Sequence, residues 1–492
     1  MDRHRTAVVI AVAALILGVA GDALLRWIPW GLNALLWTTL FCVAAQICAR
    51  ATRFPSTADE GADENADENA VTARRVARFP MVCALLVAIG IFWRDSEVLV
   101  GLDVLLLLLF LSMLALEARG VRLQAAGLAE IGAAVIVTGA QSVAGLFQLP
   151  ARDLTWSRMP RVGVRGTGVV LRGTLIAAPA LIIFGSLFAS ADPEFGSLLR
   201  ELIRFDPAEA FQHLFMTVLI AAICAGFLRS LALSGEMPRP GSPSMLSLPS
   251  AETNFALGLV NLLFLLFVAT QFRYFFDATP ENLTQYARRG FFELVWVVAL
   301  VVPMLLLAEW LVAKDRGVAL FRGLAGLQVA LVFIIAGSAF YRMKLYRDEF
   351  GLTRLRFFTT AFMIWVAVLL IWFVCTVLTG RRRRFAIGAL ATGMAAVVAL
   401  HAINPDNIIA ESNVARTRTT QKTFDSYYTL NLSDDAAATI LANADIVGPE
   451  VVQRVLRRHR PTGWRTWNMS RAKARELARR YESKATPPIA RP

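Results

Sequence analysis

The chain has 492 residues; 56% are hydrophobic, only 18% are charged, and the mean hydropathy is +0.55. That balance excludes an ordinary water-soluble globular protein and points to an integral membrane protein. The formal net charge of +13 would suggest nucleic acid in a soluble chain. Here most arginines border apolar runs, where positive charge reports topology and anionic headgroups, so no nucleic-acid partner is expected.

Twelve apolar runs follow in chain order: 7–25, 31–49, 80–93, 98–116, 127–147, 168–190, 208–229, 254–273, 291–312, 320–341, 357–379 and 385–403. At 1.5 Å per residue, runs of this size match about 30 Å of hydrocarbon as helices. The alternating pattern of an outer-membrane barrel is absent. The expected fold is therefore all-α: a polytopic transmembrane helical bundle of about 11–13 spans with a small helical C-terminal tail. Gly18-Val19-Ala20-Gly21 runs straight into Asp22, so the first run reads as a retained signal anchor rather than a cleaved peptide.

Four segments are expected. Residues 1–49 form an N-terminal transmembrane hairpin, and 50–79 an acidic linker built on the near-repeat from Asp59 to Ala70. Such like-charged, apolar-poor sequence offers no face to bury and reads as disordered and dispensable. Residues 80–403 make the main transmembrane domain and 404–492 the tail. In the tail, Ser433-Asp434-Asp435 and Gly448-Pro449 start helices, and Ser470 is the expected cap of a third. Pro405 ends the last span, and the short Asn404–Asn407 turn should dock the tail against the membrane domain through Asn404–Arg416.

Arg3, Arg5, the arginines at 50, 53, 74, 75 and 78, and then Arg119 and Arg122 favour a cytoplasmic N-terminus in a bacterial cytoplasmic membrane. Strict alternation of crossings then puts Arg152, Arg158, Arg161, Arg165 and the run Arg381–Arg384 outside, against the same rule. Either one run, with 127–147 and 80–93 the weakest, fails to cross or a further span goes unrecognised, and the side of the tail stays open. The five cysteines lie in or beside apolar runs without metal or disulfide spacing and read as small hydrophobes.

Several stretches carry a resemblance: Leu171-Arg172-Gly173 through Asp192-Pro193, Tyr286–Leu294, Leu345-Tyr346 with Glu349–Arg356, and Ile403–Asp406 with Ile409-Ala410 and Asn413–Arg416. Their order and spacing over about 165–435 resemble a bacterial membrane family, domain of unknown function 4173, and its relative 4153. This chain has Ser412 where that family usually has a tyrosine. The resemblance implies a multi-pass membrane protein and supplies no reaction, substrate or partner.

Charged residues inside a span cost roughly 2.5–3.5 kcal/mol each on insertion scales, so each needs a reason. Arg172 begins a span; Arg289 and Glu293 share one helix face four residues apart. At least one of these three is expected to form a salt bridge between helices. Asn254 and Asn261 lie on one face of their run, either as glue between helices or lining a solute path. The expected loop Tyr341–Arg356 offers Arg347, Arg354 and Arg356 to an interface belt or an anionic headgroup. These eight residues are the candidate binding set. No motif calls for a catalytic group, metal or cofactor: the four histidines are scattered, and nucleotide-binding glycine loops are lacking. The reading is a non-enzymatic membrane protein that transports a solute or lipid or belongs to a membrane assembly. Its partners are then the bilayer and a small solute, an anionic lipid or a membrane protein. The alternative is a membrane enzyme acting on a lipid-linked or anionic substrate.

Overall fold

A computed structural model describes residues 3–51, 78–118, 128–154, 177, 180–181, 183–185, 187–203, 207–233, 249–277, 291–312, 317–420, 423–458 and 463–485. Among them every regular element is helical and none is a strand. In the membrane region these are α1 (Arg3–Leu25), α2 (Leu32–Ala51), α3 (Arg78–Trp93), α4 (Glu97–Ala118) and α5 (Leu128–Gln148). Then come α6 (Pro193–Ile203), α7 (Pro207–Ala232), α8 (Ser250–Asp277), α9 (Phe291–Leu311), α10 (Val318–Phe350), α11 (Arg354–Phe373) and α12 (Phe385–Ile403). Among the described residues nine helices are long and apolar enough to span: α1, α2, α4 and α7–α12. Shorter apolar helices occupy α3 and α5. The run 168–190 and the acidic linker fall largely outside the described residues; the other eleven expected runs are helices.

The spans pack as two lobes. In the first, Ile10, Leu17, Phe41, Cys48 and Leu228 form a core between α1, α2 and α7. The N-terminal pair is thus not set apart, because α1 lies along α7. In the second, Leu305, Val332, Ile335, Leu370 and Phe373 pack α9, α10 and α11 together. The seam between lobes is α12 against α3 and α4, where Ala386 joins Cys83, Ala84, Phe110 and Met113. Cys42, Cys48, Cys83 and Cys224 are buried free thiols, and Cys375 is exposed.

Contacts between helix ends fix which ends lie together. Arg3 at the start of α1 and Arg229 near the end of α7 both bind Asp153, at 2.8 and 2.5 Å. At the other ends of the same two helices, His213 meets Asp22 at 2.5 Å. The helix α5 neighbours the same end of the bundle, that of Arg3, at its start and beyond its finish. Ile131 near its start shares a cluster with Cys83 of α3 and with Met113 and Leu116 toward the end of α4, and the π-turn that follows it ends at Asp153. Close approach makes this possible: a β-carbon at Gly145 would stand 2.7 Å from the Gly226 Cα of α7.

In the second lobe, Glu309 at the end of α9 pairs with Arg382 at 3.3 Å, just ahead of α12. Asn254 and Asn261 of α8 donate to the carbonyls of Gly317 and Leu324, each 3.1 Å away, so α8 and α10 run parallel. The ends of α10 and α12 meet at the tail, together with the α1–α2 and α3–α4 turns. Arg381–Arg384 therefore lie at the same end of the bundle as Arg3, and the tail lies at the other.

The helix α10 has 33 residues, about 50 Å of rise against about 30 Å of hydrocarbon, so its last turns stand beyond the lipid. This corrects the expected Tyr341–Arg356 loop. The helix runs on to Phe350, and only Gly351–Thr353 connect it to α11. Gly351, at φ 78°, supplies the left-handed turn that a residue with a β-carbon adopts poorly.

The tail folds as a helical module of α13 (Pro405–Thr420), α14 (Ser426–Thr429), α15 (Ala437–Ala442), α16 (Ala444–Val447), α17 (Pro449–Arg458) and α18 (Met469–Ala485). Ile409, Val414, Ile440, Val447, Val451 and Ala474 form its core, which Leu352 from the bundle joins. Asn468, rather than Ser470, caps α18: its Oδ1 accepts from the Ser470 and Arg471 amides. The Ser470 hydroxyl is taken instead by Asp435. Trp27 and Trp464 are both exposed, with Arg465 over each ring, where the module meets the α1–α2 turn.

Candidate functional site

The polar chemistry of the described structure concentrates where the module meets the bundle. Its local cause is Asn404-Pro405-Asp406. Asn404 adopts the left-handed conformation at φ 55°, which asparagine tolerates better than most residues. Pro405 then starts α13 where a missing N–H costs nothing. This turn presents Asp406, 0% exposed, to the first residue of α11. Arg354 grips it with two parallel bonds, Nε–Oδ1 at 2.9 Å and Nη2–Oδ2 at 2.5 Å. The Ser433 amide adds a third bond at 2.9 Å. The paired geometry is the strong form of such contacts. The Tyr428 hydroxyl accepts from the Arg354 amide at 2.5 Å, and burial pushes the phenol above its ordinary value. Beside this, Asn413 exchanges two bonds with the backbone of Leu352, at 2.7 and 2.8 Å. The bonds of Arg354 and Leu352 tie the module to the second lobe, and the Ser433 amide braces Asp406 from within the module.

A second set ties it to the first lobe. Asp435 accepts from the Asp95 amide at 2.8 Å and from Arg94 at 3.4 Å. Arg471 binds Asp95 at 2.8 Å and the carbonyls of Trp30 and Thr466 at 2.8 and 2.9 Å. Asn468 donates to the carbonyls of Ile91 and Arg94, both at 2.9 Å. The Leu32 amide donates to Trp467 at 2.8 Å. Burial pushes the Asp95 carboxyl up to about 7; Asp434 and Asp435 add to the rise and Arg471 opposes it. The module thus clasps both lobes at one end.

Of the candidate set, Arg354 is the residue this clasp consumes, and it also lies 3.8 Å from Glu97. Arg356 is turned inward: it donates to the Gly351 carbonyl and stacks 4.0 Å over Tyr346. Arg347 is exposed beside Asp348. Asn254 and Asn261 are buried glue between α8 and α10. Glu293 is exposed in the first turn of α9, while Arg172 and Arg289 lie outside the described residues. The described candidates therefore do not converge on one site. The residues that do converge (Arg94, Asp95, Asp406, Asp435, Arg471) sit in turns and in the module, where hydropathy carries no signal. Only the Asn404-Pro405-Asp406 turn pointed toward them.

Fold and junction together define a helical multi-pass membrane protein with a docked extramembrane module. The family model described as a domain of unknown function, DUF4153, matches residues 81–443, and the chain belongs to that family. The match reaches back through α3, α4 and α5, further than the resemblance in sequence motifs alone. Neither a curated protein nor a solved structure is detectably similar to it.

Proposed function

We propose that this chain is a non-catalytic scaffold of the bacterial cytoplasmic membrane, holding its C-terminal module rigidly over the outer face for a membrane-protein partner. The observation that carries this reading is the double clasp. Buried, charge-assisted bonds run from the module to both lobes, and breaking a buried pair leaves an uncompensated charge. A module fixed to both halves at once suits presentation of a surface better than free rocking of one half against the other. The amides of Asn254 and Asn261, which would favour a solute path, are engaged in packing.

Sidedness follows from the positive-inside rule. Arg3, Arg5, Arg50, Arg78, Arg152 and Arg381–Arg384 gather at one end, while the Leu25–Leu32, Trp93–Glu97 and Phe350–Arg354 connections carry one arginine each. The arginine end is cytoplasmic in this reading, and the module faces outward.

Photo-crosslinking in living cells from position 427, where Tyr427 is 81% exposed, tests the scaffold. A discrete membrane-protein adduct that disappears in Asp406→Ala is expected. No adduct from any exposed position on the module, with solute uptake by proteoliposomes of the purified chain, would replace the scaffold with a transporter.

A further inference from the structure

The seam between the lobes holds a pair of titratable side chains that the clasp does not use. His401, in the last turn of α12, places Nε2 3.1 Å from Oδ2 of Asp103 on α4. Asp103 is 0% exposed and His401 4%. Both lie within spans, where an ionisable residue is by default a functional candidate. The third helix at this point is α3, and its Gly90 makes the meeting possible. A β-carbon there would stand 2.7 Å from His401 Nε2 and 3.2 Å from Asp103 Oδ2.

Hydrogen-bond bookkeeping fixes the protons. His401 Nδ1 lies 2.9 Å from the Val397 carbonyl, which can only accept, so Nδ1 carries hydrogen. Nε2 is then a bare lone pair in the neutral ring. A bond between that lone pair and a carboxylate oxygen requires one more proton, on either the acid or the ring. Asp103 Oδ1 has no hydrogen-bond partner among the described residues. Without the shared proton, an ionised carboxylate would face a lone pair inside the seam.

We propose that Asp103 and His401 form an intramembrane proton-binding site that holds the two lobes together while occupied. The other charged groups nearby lie toward the module. Arg94 of the α3–α4 turn donates to the His401 carbonyl at 2.7 Å and contacts Asp435. Asp95 beside it is held by Arg471, and Glu97 at the start of α4 is exposed near Arg354. Arg94 also lines a polar cavity of about 120 Å³ with Asn404, Asp434, Asp435 and Ser470. The ligand is the proton itself, so the site stands whether the module serves a scaffold or a transporter.

The test uses the full chain in nanodiscs with Asp95→Asn and Glu117→Gln as background, which removes the Asp95 carboxyl, held at about 7, and the Glu117 carboxyl at the end of α4, whose oxygens have no hydrogen-bond partner among the described residues. Folded protein retains the shared proton where an unfolded chain has lost it, so the folded state binds more protons and the thermal midpoint falls as pH rises. A fall of several degrees from about pH 6 to about pH 9 is expected, flattened by Asp103→Asn, whose amide donates to Nε2 without titrating. His401→Gln should flatten it as well. Infrared spectra of the same background should show a carboxyl–imidazole signal that titrates in this range and is absent from both variants. Identical pH profiles with and without Asp103→Asn, or, should the variants not fold, no titrating signal in the background protein, would overturn the proposal.

Discussion

The spans and the module junction are held by opposite means. Within the lobes, contact rests on apolar side chains, a glycine crossing between α5 and α7, and amides such as Asn254 and Asn261. Lipid tails are as apolar as leucine, so close packing and a few hydrogen bonds are what distinguish one helix neighbour from another. At the junction, Arg354–Asp406, Arg471–Asp95 and Arg94–Asp435 gather around turns. Charged groups are costly to bury and costlier to leave unpaired, so they specify one docking geometry. The bundle is a packing problem with many near-equivalent contacts; the junction is a lock with few.

That contrast predicts unequal sensitivity. The largest effect should come from Asp406→Ala, which strands Arg354 and the Ser433 amide. A loss of about 3–5 kcal/mol is expected, read as rapid proteolysis between residues 420 and 482 in detergent where the native chain resists. Cleavage unchanged from the parent would mean that the clasp contributes little. Next is Gly226→Leu, whose side chain would run into the Ser142 backbone of α5. Overpacking of this kind costs about 1–3 kcal/mol and should lower the thermal midpoint while leaving the module protease-resistant.

Asn261→Ala should be milder, about 0.6–2 kcal/mol, because it removes one bond between helices. A larger loss in chemical or thermal unfolding would give polar contacts more weight inside the bundle than this contrast allows. The remaining effect is a pH dependence, spread over several pH units. Burial holds the Asp95 carboxyl at about 7 against an ordinary 3.8, so the folded state binds more protons between these values. Its contribution to stability therefore declines as pH rises through that window and levels off above it. Comparing unfolding of the parent with Asp95→Asn from about pH 4 to about pH 8 checks this; the variant should lack that component of the decline.

Much of the bundle was legible because a backbone crossing lipid leaves a signature about twenty residues long. The return of 127–147 toward its starting end was readable only as a conflict, from the arginines that alternation would have placed outside. What resolved it was the contact of Arg3 with Asp153, which no periodicity encodes. The end of α10 was misread because Arg342, Lys344 and Arg347 look like a loop by charge. Arginine and lysine are nonetheless good helix formers, and the turn waits for Gly351. Ser470 was read as a cap by residue type, whereas Asn468 two positions earlier makes those bonds. The junction was least legible of all, because its partners come from turns far apart in sequence, such as Asp95 and Arg471. Asp103 and His401 were visible as isolated polar residues in apolar runs, but their pairing depends on α3, α4 and α12 converging.

The central claim is that the module is clasped at the end of the bundle opposite the arginines. Labelling of single introduced cysteines with a membrane-impermeant maleimide in spheroplasts tests it most directly. Tyr427→Cys should label in intact spheroplasts, and Arg383→Cys only after permeabilisation. Labelling of both positions from the same side would contradict the account.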